Sequence, residues 1–304
     1  MKSKLSNSLF ALLACSFLVG CSPMRFSQYS GSRRVWPRSQ DSMAETSFSL
    51  PVYRTWPDKP FEIVGSLRVE DPNQNWDDGI IGSAVSAARS KHGDAIIIRQ
   101  GSELGVSGYA GFAEDPMVWK QNQTTALVIK WKPKGVLETE AAALRAFKEN
   151  FRAQHPELTP NVSLVDSVIE YLQFIGLSLD SGAAADKLKD ILTEFHGSRE
   201  GELNGKWLYR CNYTRSRLTS SSSDFFYGTA LVTLKDNVLT IVSTSGLAEV
   251  NFSGTSDKGR VMGKMGISAV SINCDGVASK EKISLSGQGQ VADGTFQASL
   301  IFLR

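Results

Sequence analysis

Thr229-Ala230-Leu231-Val232-Thr233-Leu234 is followed, across Asp236-Asn237, by Val238-Leu239-Thr240-Ile241-Val242. Two runs rich in β-branched and aliphatic residues around a short Asp-Asn turn signal read as consecutive antiparallel strands. The pattern recurs in Lys282-Ile283-Ser284-Leu285 and in Phe296-Gln297-Ala298-Ser299-Leu300-Ile301-Phe302, with turn signals at Ser256-Asp257-Lys258-Gly259 and Asp293-Gly294. Turns spaced roughly 8–12 residues apart make residues 201–304 an antiparallel all-β domain, a meander closing into a barrel or a sandwich.

Upstream, the hydrophobic period changes. Residues 134–200 read as a helical segment. Leu144, Phe147 and Phe151 form one apolar stripe, and Leu164, Val165, Val168, Ile169, Leu172 and Ile175 a second. Leu188, Ile191, Leu192 and Phe195 form a third, which ends at Gly197. Stripes at i, i+3 and i+4 are core faces or grooves for a partner helix.

Residues 48–133 mix the two periods in the order ββαββ. Phe48–Arg54 and Phe61–Val69 read as strands. A helix begins near Asp77-Asp78 and buries Ile81, Ala84, Val85 and Ala88, with Gly93 expected as its left-handed terminator. Asp94–Arg99 and Thr124–Trp131 read as the remaining strands. Between them, residues 101–122 are glycine-rich and read either as a recognition surface carrying Tyr109, Phe112 and Trp119 or as a merely long connection. The fold class is therefore α+β: a small ββαββ domain, a helical middle segment and a C-terminal all-β domain.

The first 47 residues have a different logic. Lys2 and Lys4 precede an apolar run over Leu9–Val19, too short to span a bilayer but right for a signal peptide. The run ends in Leu18-Val19-Gly20-Cys21, which resembles the bacterial lipobox. That resemblance implies removal of residues 1–20 and lipidation of Cys21. The mature protein would then be membrane-anchored through two or three acyl chains. Ser22, where an Asp would favour inner-membrane retention, implies the outer membrane, facing the periplasm. Residues 21–47, rich in Ser, Arg and Gly, read as a flexible tether.

Two further resemblances are carried by short motifs. Pro60-Phe61-Glu62-Ile63-Val64-Gly65 and Gly93-Asp94-Ala95-Ile96-Ile97-Ile98 are similar to the RcsF-type envelope lipoprotein domain and its YbjQ-like relatives, without the cysteines of the RcsF type. Gly205-Lys206-Trp207 resembles the G-x-W opening of lipocalin- and avidin-like barrels, where the Trp plugs one end. The T-D-Y motif of lipocalins is missing.

Of four cysteines, Cys15 leaves with the signal and Cys21 carries lipid. Cys211 and Cys274 remain. In an oxidising compartment they are expected to form a disulfide, worth roughly 4 kcal/mol for a loop of about 64 residues. The alternative is two buried free thiols.

Lys+Arg number 33 against 31 Asp+Glu, and Lys2 and Lys4 supply that excess. A neutral body has no electrostatic footprint for nucleic acid. His92, His155 and His196 share no metal-ligand spacing; His92 and His196 suit helix C-termini instead. Asp71, Asp77 and Asp78 lack the rest of a calcium loop, and no G-x-S-x-G elbow or phosphate loop occurs. No cofactor, metal or catalytic residue is expected. The reading is a non-enzymatic envelope lipoprotein that binds a protein partner or a small apolar ligand. The rival readings are an assembly protein docking through its helices and an envelope-polymer hydrolase.

Overall fold

The computed structural model describes residues 24–29, 35–36, 38, 42–69, 76–99, 125–199, 201–217, 221–246, 248–268, 270–291 and 294–304. Cys21, Asp71 and the glycine-rich segment 101–122 lie outside the described residues.

The C-terminal strands settle the choice between barrel and sandwich. Eight antiparallel strands run in chain order: β7 (Gly205–Arg217), β8 (Ser221–Lys235), β9 (Val238–Gly246), β10 (Val250–Asp257), β11 (Arg260–Ile267), β12 (Val270–Ala278), β13 (Lys282–Val291) and β14 (Gly294–Leu303). Each pairs with its chain neighbour, and β14 pairs back onto β7 over ten residues, so the meander closes into a barrel with no free edge. Asp236 and Asn237 both adopt positive φ, the geometry of a tight hairpin that matches the strand twist.

The interior is filled by rings lying over glycines. A Cβ on Gly228 would stand 2.4 Å from the Tyr209 hydroxyl, and one on Gly263 would stand 2.8 Å from the Phe252 ring. Large side chains facing glycines across a narrow barrel pack without voids. Tyr209, Phe252, Phe296, Phe302 and Leu300 are all essentially inaccessible to solvent. The domain is thus a close-packed core along these strands.

The expected Cys211–Cys274 disulfide is not formed; both thiols are free and buried. The register explains why. Cys274 pairs with Gly287, Gly287 with Ala298 and Ala298 with Tyr213, so Cys211 lies three strands away and two residues along. Three strand spacings are roughly 14 Å around the wall. A disulfide needs Cα atoms within about 7 Å.

In the N-terminal body, a six-stranded sheet has the order β1 (Arg25–Gln28), β4 (Phe61–Arg68), β6 (Thr125–Trp131), β5 (Ala95–Arg99), β3 (Val52–Tyr53), β2 (Ala44–Glu45). Two of these strands come from the stretch read as a flexible tether. β1 gains its place because Gly65 has no side chain; a Cβ there would meet the Phe26 ring at 2.4 Å.

Helix α1 (Asp78–Ser90) covers one sheet face. Asp77 caps it, accepting a bond from the Ile80 N–H at 2.8 Å. Its left-handed terminator is His92 at φ 57, not Gly93. Gly93 is needed for space instead, since a Cβ there would meet a Val128 methyl at 2.4 Å. The other sheet face carries Tyr53, Trp56, Phe61, Ile63, Ile97 and Ile129. A bulge between Ile63 and Gly65 sends Phe61 and Ile63 to this aromatic face and Leu67 to the helix face.

Between the two bodies lie α2 (Lys134–Gln154), α3 (Val162–Phe174) and α4 (Gly182–Gly197). Their stripes meet as one core around Phe151, Leu164, Val168, Leu188 and Phe195. Leu208 and Leu303, on the outer face of the barrel, join that core, so the helical layer is docked onto the barrel wall. Ile175 departs from the expected stripe. It is exposed, whereas Phe174 is buried against the barrel.

Candidate functional site

The barrel interior is packed, and a large concavity lies outside it. A cleft of about 1220 Å³ opens between α2, the turn after α3, the aromatic face of the N-terminal sheet and the outer wall of the barrel.

Its barrel wall follows from strand register. Asn212, Ser299, Ser286 and Asp275 are successive cross-strand partners on β7, β14, β13 and β12. Thr214, Gln297, Gln288 and Asn273 form a second row, two residues further along each strand. Alternation turns their neighbours Tyr213, Ala298 and Cys274 inward and these eight outward. All eight line the cleft. Rows lie about 4.8 Å apart between strands, and the two rows about 6.8 Å apart along them. Gln297 donates from Nε2 to Gln288 Oε1 at 3.3 Å, and Asn212 Oδ1 accepts from Arg210 Nε at 3.0 Å. Asn273, Asp275, Ser286 and Ser299 have no side-chain hydrogen-bond partner among the described residues.

The facing wall is mixed. Trp36 stacks on Trp56 and Phe61, with centroids 6.1 and 6.3 Å away, and Trp36 and Phe61 reach the cleft. Leu137, Ala143 and Leu144 of α2 add an apolar strip.

Most of the charges that line the cleft are already neutralised. Lys132 Nζ donates to both carboxylate oxygens of Glu140 at 3.0 Å. Arg210 meets Glu170 at 3.0 Å, its guanidinium lying 4.5 Å over the Phe225 ring. Tyr171 and Phe174 of α3 close over Phe225 and Tyr227 beside it. Burial and then the Glu170 carboxylate hold the Tyr227 hydroxyl far above the ordinary phenol range, with Arg210 opposing. That hydroxyl stays protonated and structural. Arg38, Lys132 and Arg210 stand against Glu140, Glu170, Asp180 and Asp275, which leaves no excess of positive charge in the cleft.

The residues singled out from the sequence lie elsewhere. His196 lies in the last turn of its helix, as expected, whereas His92 lies two residues beyond the end of α1, where Arg89 is the basic residue of the last turn; His155 lies beside Phe151 with ring centroids 5.0 Å apart. Cys211 and Cys274 point into the barrel. Burial, then Cys274, raises the Cys211 thiol, and burial, then Asp275, pushes Cys274 up to about 11. Both are thiols, not nucleophiles, near neutral pH. Trp207, near the start of β7, is fully buried in the barrel core and donates from its indole to the Leu203 carbonyl at 2.9 Å. Among the described residues, no group of three His, Cys, Asp or Glu could hold a metal ion, and no helix is long and apolar enough to cross a membrane.

No family model, curated protein or solved structure matches the chain. The cleft was not foreseen from the sequence. Its one available signal was the outward positions of four strands, which carry Asn, Gln, Ser and Thr where solvated strands more often carry Lys and Glu.

Proposed function

We propose that the protein is a lipid-anchored envelope protein that binds a ligand in the cleft between the barrel wall and the helical layer, without chemistry of its own. The lipobox-like Leu18–Cys21 supports the anchor and the outer-membrane, periplasm-facing location. The N-terminal body is read as a ββαββ core of the RcsF-like kind, extended by β1 and β2. The C-terminal body is read as a lipocalin-like barrel, with Trp207 in the role of the plugging Trp.

The observation that carries the binding reading is the contrast between a barrel packed by rings over glycines and a large cleft outside it. Lipocalin-like barrels are expected to hold ligands in the lumen; here that space is filled by the chain's own aromatics. Ligand sites are concave surfaces that combine apolar area with a few directed polar groups, and the cleft has both.

Fluorine NMR of the full chain labelled with 5-fluorotryptophan tests this, with the six tryptophans assigned by single Trp→Phe variants. Lipid, glycan and peptide fractions of an envelope extract are added in turn. At least one fraction should shift Trp36 and leave Trp207 in place. A shift of Trp207 instead would move the site into the barrel. Silence of Trp36 with every fraction would remove the cleft as a site.

A further inference from the structure

We infer that the cleft takes a neutral oligosaccharide, laid along the two polar rows of the barrel wall; this rests on the reading of the cleft as a binding site. Three observations carry it.

The first is the chemistry of the rows. Asn212, Asn273, Gln288 and Gln297 each present a carbonyl acceptor beside an amide donor, and Ser286 and Ser299 present hydroxyls that can do either. A sugar ring is ringed by hydroxyls that are themselves donor and acceptor. A grid of amides and hydroxyls can pair with them whichever way each hydroxyl points. The grid carries one formal charge in eight positions, that of Asp275. On the adjacent strand β11, the outward positions include Arg260, Met262 and Lys264, so the amide grid is local to the cleft.

The second is electrostatic. Of the three cations that line the cleft, Lys132 and Arg210 are held by Glu140 and Glu170 at 3.0 Å, which leaves the exposed Arg38. A phosphate, a phospholipid headgroup or an acidic glycan would have to break those pairs to gain more than Arg38, in a cleft whose lining carries four carboxylates against three cations. A neutral polyol meets no such cost.

The third is the aromatic face opposite. Sugar rings have apolar C–H faces as well as polar edges, and a ring edge-bonded to the grid can turn a face toward Trp36. The cleft, at about 1220 Å³, exceeds the usual 300–1,000 Å³ of drug-sized sites, which favours several linked rings over one.

The test uses the full chain in detergent, with chitotetraose and cellotetraose as neutral probes and a heparin tetrasaccharide and phosphatidylglycerol vesicles as anionic ones. Binding is read by tryptophan fluorescence and by equilibrium dialysis. At least one neutral tetrasaccharide should bind, and neither anionic probe should compete with it. Gln288→Ala/Gln297→Ala should weaken that binding at least about tenfold, the scale expected when two sugar-facing hydrogen bonds are lost. Both side chains are exposed, so an unchanged melting temperature shows that the double variant folds. Failure of both neutral probes, or undiminished binding to the double variant, overturns the saccharide assignment. Binding of an anionic probe that Trp36→Ala abolishes would overturn it while leaving the cleft as a site. Binding by no probe, with Trp36 also silent toward envelope extract, would remove both.

Discussion

The Arg304 guanidinium lies over the Trp207 indole, 4.6 Å from the ring centroid, and from there donates to the carbonyls of Asn204 and Glu202, each at 2.5 Å. Arg304, just after β14, is thereby tied to the turn that opens the barrel. The Arg304 carbonyl also accepts from Asn161 Nδ2 at 2.8 Å, which ties the same point to the start of α3. Burial, and then the nearby Arg199, pull the Arg304 guanidinium down to about 10, still charged at neutral pH.

Arg304→Ala should therefore destabilise the barrel by about 3 kcal/mol, from two charge-assisted hydrogen bonds and a cation–π contact. Trp207→Phe keeps a ring under the guanidinium but loses the bond to the Leu203 carbonyl and some area, and should cost about 2 kcal/mol. Urea unfolding followed by far-UV circular dichroism measures both. A loss below about 0.5 kcal/mol for Arg304→Ala, the range of ordinary surface substitutions, would show that the closure carries little energy.

The two barrel thiols give a pH prediction. Folded Cys274 holds its proton up to about 11, above the ordinary thiol range of about 8.5, because burial and Asp275 disfavour the thiolate. Cys211 is shifted in the same direction. In the alkaline range the native state thus binds more protons than the unfolded state. The stabilisation is complete below about pH 8.5 and is lost as pH rises through about 11. Thermal unfolding should show a melting temperature that falls over that range, and less steeply in Cys211→Ala/Cys274→Ala. Dithiothreitol should leave the melting temperature unchanged. Alkylation of either thiol by iodoacetamide at neutral pH should require denaturant; rapid labelling of the native protein would contradict their burial.

The anchor rests on Leu18–Cys21 alone. Cys21→Ser should abolish incorporation of an alkyne palmitate analogue and release the chain from the membrane fraction. A mutant that still labels and still sediments with membranes would sink the lipoprotein reading.

How much of this was legible in the sequence depends on where the deciding partner lies. The hairpin at Asp236-Asn237 could be read because strand, turn and strand are contiguous, and the N-cap at Asp77 because its partner is three residues on. The α3 stripe from Leu164 to Leu172 is likewise periodic and local. Phe174 falls off that stripe because its partners, Phe225 and Tyr227, are some fifty residues downstream on the barrel wall. Phe61 to Val69 was readable as a strand, and β4 covers Phe61–Arg68; of the run Phe48 to Arg54, also read as a strand, only Val52-Tyr53 is one, paired with β5 and the two-residue β2. The edge strand β1 was not, since Arg25-Phe26-Ser27-Gln28 looks like linker until Gly65 opens room for Phe26. Cysteine counting failed for the same reason: it supplies an even number but no register. The two polar rows of the cleft depend on register across four strands, so no local pattern announces them.

That docking of helix on barrel is the most exposed consequence of the fold, and Arg210 is its pivot. Its guanidinium covers the Phe225 ring, bonds Glu170 of α3 and reaches the Tyr227 hydroxyl at 3.5 Å. Both charged side chains are about one-third exposed, at 35% and 37%, so solvent screens the ion pair, and its coupling should be no more than about 1 kcal/mol. A double-mutant cycle with Arg210→Ala and Glu170→Gln measures that term, and it should shrink further in 1 M salt, where the Debye length falls to about 3 Å. Arg210→Ala alone should cost more than the coupling, about 2 kcal/mol, because it also uncovers Phe225 and Tyr227. Arg210→Lys keeps the charge but not the planar stacking, and should recover only part of the loss. Hydrogen exchange locates the effect: amides of α3 should lose protection in Arg210→Ala while those of β10–β12, on the far side of the barrel, keep theirs. Equal loss in both would mean that the helices and the barrel unfold as one unit, and that Arg210 does not set the contact between them.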